Sequence, residues 1–377
     1  MTSAASKDGI PVATSPHSAR RPVPSRSGPR AAVLALAVLG LAALAAGCTA
    51  PSPRPGAPAP HAAGHQAAPR AGTVSRSGTV SRSGAVSRSG AATAVATCKP
   101  DASSLAPLGA PDVTPGSYMA TIKKRGYLIA GVDQSTYHFG YLNPLDGKIE
   151  GFDIDMIRAV AQAIFGDADN RVQYKAISDQ DRISAVTNGD VDIVAHTMTI
   201  TCDRLQQVDF SSVYFDAHGR VLIPDDSKAA NGLAGLAGQK VCATSGSDSV
   251  KTIEQYPVQP KIIAVQRPFW TDCLVLLQQD RVAAISTDDA ILYGLQAQDP
   301  FTRVVGPELT DEPYGLAMSK LHPDFVRFVN AVLASYESDG GWEASYKRWV
   351  NPAGTPRPVP ALRELAPAPM RIRYVAR

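Results

Sequence analysis

Three short runs hold side chains able to grip the charged groups of a small molecule. In Thr197-Met198-Thr199-Ile200-Thr201-Cys202-Asp203-Arg204, Thr199 and Arg204 stand five residues apart, just after the apolar run 191–195. A hydroxyl beside a guanidinium fork suits a carboxylate. Thr244-Ser245-Gly246-Ser247-Asp248-Ser249 follows a second apolar run and opens a helical pattern. Small residues with free backbone N–H groups at a helix start make an anion site, and the missing P-loop lysine excludes ATP. Thr287-Asp288-Asp289 follows a third run, 282–286, where a carboxylate can pair with an ammonium group. Each has a plainer reading: an ion pair at the surface for Arg204, and helix capping for Ser247, Asp248 or Asp288. Taken together they offer two anion grips and one cation grip, which is what a zwitterionic amino acid requires.

Such grips need a scaffold that gathers strand ends. In open parallel sheets, ligands bind beyond the carboxyl ends of the strands. Between residues 118 and 350 short apolar runs at 127–132, 172–177, 191–195, 221–223, 240–243, 261–265 and 282–286 read as strands. Helical spacing predicts helices over 152–165, near 181–188, 248–255, 272–279 and 289–298, and over 323–338 and 341–349, the last two parted by Gly340-Gly341. This alternation predicts an α/β fold with parallel sheets covered by helices.

The 377 residues suffice for two domains, but charge is spread unevenly. Residues 1–117 carry 11 Lys+Arg against 3 Asp+Glu, and 351–377 carry 5 against 1. The stretch 118–350 holds 21 against 30, so the region expected to fold is acidic and does not suit a nucleic-acid backbone. Arg20, Arg21, Arg26 and Arg30 precede a 16-residue apolar run, 31–46, ending in Gly47-Cys48. That is an export-signal pattern and shorter than the roughly 20 residues of a membrane span. The small residues before Cys48 resemble a bacterial lipoprotein box, with Leu44 one place early; the resemblance implies a lipid on Cys48 and a signal peptide over 1–47. Residues 48–117, with three copies of Val-Ser-Arg-Ser-Gly beginning at Val74, Val80 and Val86, read as a disordered tether, and 351–377 as a disordered tail. Cys98, Cys202, Cys242 and Cys273 remain, an even number in an exported chain, with three possible pairings. No zinc-ligand spacing occurs, and no cofactor or metal is expected.

Four segments, in order and at natural spacing, carry a resemblance: Gly151-Phe152-Asp153-Ile154-Asp155, Asn188-Gly189-Asp190-Val191-Asp192, the 197–204 stretch with Val208-Asp209-Phe210-Ser211, and Glu312-Pro313-Tyr314-Gly315. They resemble the family 3 solute-binding proteins of polar amino-acid ABC transporters, nearest the glutamate- and aspartate-binding branch. The resemblance implies the two-lobed type II periplasmic-binding-protein fold, with lobe 1 over 118–218 and 313–350, lobe 2 over 219–312, and hinge crossings near 217–221 and 306–312. It implies that Thr199 and Arg204, helped by the backbone of Thr197, bind the α-carboxylate, and that Asp288 binds the α-ammonium. Thr244, Ser247 and Asp248 would lock closure, and Arg182 would take an acidic side chain. Asp133, in the first loop, would reach an ammonium group; with Asp179 it departs from the family pattern and leaves asparagine or glutamine open. Trp270 or Phe269 would add an apolar wall. The same map pairs Cys242 with Cys273 and leaves Cys98 for Cys202. The expectation is a monomeric, non-enzymatic binder of glutamate or aspartate, anchored to the outer face of the cell membrane and feeding an ABC permease. A sensor subunit reporting to a membrane partner is the alternative, and a dehydratase-like enzyme a remote one.

Overall fold

The computed structural model describes residues 98–100, 104–351 and the backbone of 374–375. The signal peptide, Cys48 and the repeats lie outside the described residues. In chain order the elements begin with β1 (Ser104–Leu105), α1 (Tyr118–Arg125), β2 (Leu128–Val132), β3 (Ser135–Thr136), β4 (Gly140–Leu142), β5 (Ile149–Glu150) and α2 (Phe152–Phe165). Then come β6 (Val172–Ala176), α3 (Arg182–Thr187), β7 (Ile193–Ala195), α4 (Cys202–Leu205), β8 (Asp209–Phe210) and the ten-residue β9 (Phe215–Pro224). They continue with β10 (Lys240–Thr244), α5 (Ser249–Gln255), β11 (Ile263–Arg267), α6 (Trp270–Gln278), β12 (Ala284–Asp288), α7 (Asp289–Gln298) and β13 (Thr302–Val305). The last are β14 (Asp311–Tyr314), β15 (Ala317–Met318), α8 (Pro323–Ser338), α9 (Gly341–Trp349) and β16 (Tyr374–Val375).

Lobe 1 is built on the sheet β6-β2-β7-β15-β8, in which β2 runs parallel to β6 and β7. Lobe 2 is built on β11-β10-β12-β9-β13, with β10 parallel to both its neighbours. Parallel strands buried on both faces need apolar runs, and Val241, Cys242, Ala243, Ala284 and Ile285 are all inaccessible to solvent. α2 buries Phe152, Ile154, Met156, Ile157, Val160, Ala161 and Ile164 on lobe 1, the spacing of one helical face. Asp153 and Asp155 in its first turn match the helix dipole.

β9 belongs to both lobes. Its start, Phe215 to His218, pairs antiparallel with β14, while Gly219 to Pro224 pair with β12 and β13 in the lobe 2 sheet. The hinge is therefore this two-stranded crossing, longer than the apolar run 221–223 indicated. β11 and β12 each begin two residues later than their apolar runs, so Thr287 and Asp288 close β12 and do not follow it.

The folded region also starts earlier than residue 118. Cys98 is bonded to Cys202, and Ser104 and Leu105 are buried. Asn330 of α8 donates to Ser104 Oγ at 2.7 Å and to the Leu105 carbonyl at 2.6 Å, and β1 pairs in parallel with β16. Residues 98–100 and 104–117 are thus a docked strap, which corrects their reading as tether. The physical reason is that one apolar residue, Leu105, finds a place in the lobe 1 core while its carbonyl is satisfied by Asn330.

Candidate functional site

The strand-end segments meet in a small, nearly closed cavity between the lobes. From lobe 1 it receives Asp179, Arg182, Thr197, Thr199 and Arg204. Lobe 2 contributes Ser247, Asp248, Trp270, Thr287 and Asp288, and the hinge strand β14 contributes Glu312. The segment 197–200 reaches this position because it lies along β14: Ile200 N–H donates to the Pro313 carbonyl at 2.8 Å, and Gly315 N–H to the Met198 carbonyl at 3.1 Å.

Arg204 sits on the single turn α4, capped by Thr201. Its guanidinium donates to the Thr199 carbonyl at 2.7 Å and the Gly246 carbonyl at 3.2 Å, and pairs with Asp248 at 2.7 Å. Burial, and next the Arg182 charge, lower its pKa to about 10. Thr197 holds φ +42°, a left-handed conformation that a β-branched residue adopts only under constraint. The constraint is Asp153, which accepts the Thr197 N–H at 2.7 Å and the Tyr214 hydroxyl at 2.6 Å. Thr197 Oγ1 and Trp270 Nε1 are buried with no hydrogen-bond partner among the described residues.

Arg182 is engaged through all three of its guanidinium nitrogens. It pairs with Asp179 at 2.8 Å and donates to the carbonyls of Asp179, His196 and Gly246 at 3.0, 3.1 and 3.3 Å. Asp179 in turn accepts the Thr244 hydroxyl at 2.5 Å. Ser247 lines the cavity while its hydroxyl donates to the Thr244 carbonyl. Asp288 accepts the Tyr314 hydroxyl at 2.7 Å, and burial raises its pKa well above the carboxylate range.

Asp133, expected to reach an ammonium group, does not line the cavity. Its carboxylate accepts the N–H groups of Gln134 and Ser135 and the hydroxyls of Ser135 and Thr136. An Asp at a loop start satisfies its own backbone before it reaches a ligand, so Asp133 shapes the first loop. Thr244, too, acts through Asp179 and not from the cavity wall. Glu312 is a further site residue, and the sequence signal for it is that it opens one of the four resembling segments. It accepts the hydroxyls of Thr199 and Thr310, each at 2.6 Å, and burial raises its pKa.

Both expected disulfides are present. Cys242–Cys273 ties α6 to β10, and Cys98–Cys202 ties the strap to the first residue of α4.

The walls bond to each other, Thr244 to Asp179 and Arg204 to Asp248, so a solute enters only when the lobes part. With two cations and four carboxylates converging on one buried space, the arrangement is that of a closing clamp for a small charged molecule. The family model described as bacterial extracellular solute-binding proteins, family 3, matches residues 128–352. The ABC transporter glutamine-binding protein GlnH of Bacillus subtilis is 35% identical over 232 residues, covering 62% of this chain and 84% of that one. The glutamate-binding protein GluB of Corynebacterium glutamicum is 27% identical over 236 residues, covering 60% and 79%. Among solved structures, an ancestral arginine-binding protein bound to glutamine superposes with a TM-score of 0.56 at 30% identity, covering 60% of this chain and 99% of that chain.

Proposed function

The chain belongs to the bacterial extracellular solute-binding proteins, family 3, and we propose that its cleft closes on one free amino acid with an amide side chain, glutamine first, for delivery to an ABC permease. It is an amino-acid ABC-transporter substrate-binding protein, not an enzyme. In the proposed complex the α-carboxylate takes the place of Asp248 on Arg204, and the α-ammonium group meets Asp288. Thr199 completes the carboxylate grip, while the Thr197 N–H, expected to help, is held by Asp153. Trp270 supplies the apolar wall.

The observation that carries the amide reading is Arg182. It pairs with Asp179 and reaches three carbonyls, so its charge is already neutralised. A second ligand carboxylate would enter beside Asp179 without an unpaired cation to receive it. An amide offers both a donor for Asp179 and an acceptor for a nearby N–H, which the Asp179–Arg182 pair accommodates at no net charge. The glutamine-binding relatives from Bacillus subtilis and Geobacillus stearothermophilus support this reading, and the glutamate-binding relatives keep the acidic side chain as its competitor. Attachment to the outer face of the cell membrane through a lipid on Cys48, and action as a monomer, are part of the same proposal.

Calorimetric titration of the full chain, freed of copurified solute, with glutamine, asparagine, glutamate and aspartate tests it. Glutamine should bind at least about tenfold more tightly than glutamate, the scale of one unpaired charge. The reverse order would restore Arg182 as the anchor of a side-chain carboxylate. Binding of none of the four would end the reading altogether.

A further inference from the structure

Two carboxylates that line the cavity, Asp288 and Glu312, stand apart from its two arginine pairs. Glu312 and Tyr314 are two apart on β14 and so share a face of that strand. Tyr314 holds Asp288 from that face, and Glu312 enters the same cavity. Neither acid is paired with an arginine at salt-bridge distance among the described residues: Arg182 is taken by Asp179 and Arg204 by Asp248. Among the described residues, each accepts from hydroxyls alone, Asp288 from Tyr314 and Glu312 from Thr199 and Thr310.

We infer that Glu312 is a second acceptor for the ligand's α-ammonium group, and that Glu312 and Asp288 give up one proton to solvent when that group enters. Two anions in one buried space, without a cation between them, retain a proton. Burial raises both acids, and the negative charge of Glu312 raises Asp288 further. The other charges facing the pair are Asp248 and Arg204 toward Glu312, and Asp289 and Arg182 toward Asp288. The entering ammonium supplies the missing positive charge. One carboxyl O–H bond breaks, its proton passes to buffer, and the pair gains one negative charge that the ligand balances.

The same step explains how Thr199 serves the α-carboxylate. Thr199 has a single hydroxyl hydrogen, and it is given to Glu312. Once the ammonium group occupies Glu312, that hydrogen can turn to the ligand carboxylate. The inference rests on the cleft binding an amino acid, and the experiment separates the two.

The full chain is titrated with L-glutamine by calorimetry at one pH in two buffers of different ionisation enthalpy, and the titration is repeated across pH. Close to one proton should be released per glutamine bound, and affinity should weaken as pH falls, by up to about tenfold per pH unit. Glu312→Gln should weaken binding by about tenfold or more, the scale of one charge-assisted hydrogen bond, and reduce the proton release. Tight binding with the same enthalpy in both buffers overturns the inference and leaves the binding function intact. Unchanged affinity and proton release in Glu312→Gln also overturn it. No heat with glutamine or with glutamate removes both. The buffer comparison needs no variant, so it decides the matter even if Glu312→Gln does not fold.

Discussion

Arg204 shows how a single side chain can be held charged in a nearly closed space. Its guanidinium has a backbone carbonyl from each lobe and one carboxylate before any ligand arrives. Removing it leaves Asp248, and later the ligand carboxylate, without a counter-charge, at a cost of about 3–5 kcal/mol. Arg204→Ala should therefore lose at least about a hundredfold in glutamine affinity by calorimetry, and a loss under threefold would refute its placement at the α-carboxylate. Arg182 is the contrasting case. Its type and position suggested a free cation for an acidic ligand, but a residue three places earlier, Asp179, and the two walls of the cleft consume its donors. Spacing alone could not reveal this, because two of those partners are carbonyls of His196 and Gly246.

At the scale of elements, the N-terminal turn of α2 is bolted to the binding segment. Asp153 is buried and its pKa is raised to about 6, chiefly by desolvation, against the favourable bonds from Tyr214 and Thr197. Its pKa in the unfolded chain is the ordinary 3.8. The folded state therefore binds the extra proton between these values, and this group favours folding more as pH falls from above 6 to below 4. Ionised Asp153 costs about 3 kcal/mol at neutral pH. Asp153→Asn keeps an acceptor for the Thr197 N–H and can donate to the Tyr214 oxygen. Comparison of urea denaturation for this variant and wild type at pH 7 and pH 4.5 is expected to show a smaller gain at the lower pH in the variant. Identical gains would show that Asp153 does not titrate in this range. The element also has a functional reading: the bond from Thr197 to Asp153 holds a left-handed threonine in place at the site.

For the whole molecule, closure depends on backbone approaching backbone. Gly246, at φ +86°, stands so near lobe 1 that a Cβ would lie 2.6 Å from Gln180 Cα and 2.8 Å from its nitrogen. Gly294 on α7 meets the Tyr137 carbonyl in the same manner, at 2.6 Å. Neither neighbour is the end of a flexible side chain, so a methyl group at either place must hold the lobes apart. Gly246→Ala should fold, since it faces the cleft, and should bind glutamine at least about tenfold more weakly. Small-angle scattering with saturating glutamine should give it a larger radius of gyration than wild type. Equal affinity and equal radius would mean that the lobes do not close to the separation described. The paired strands β9 and β14 carry the chain between the lobes, and a crossing of two strands leaves freedom for this motion.

The sequence by itself determined the α/β alternation, the bounds of α2, α8 and α9, and the three strand-end runs that became the cavity walls. These are local properties: apolar spacing, a glycine pair between helices, and small polar residues after apolar runs decide them within a dozen residues. The tertiary structure decided which polar groups remain for a ligand. Glu312 meets Thr199 across 113 positions because the segment 197–200 lies on β14. Asp133 is spent on its own loop, and the strap at 104–105 is docked by an asparagine more than 200 residues away. A carboxylate or guanidinium is available for binding only when its neighbours in space do not satisfy it, and those neighbours are set by the hinge crossing and the packing of the lobes, not by the residues beside it in the chain.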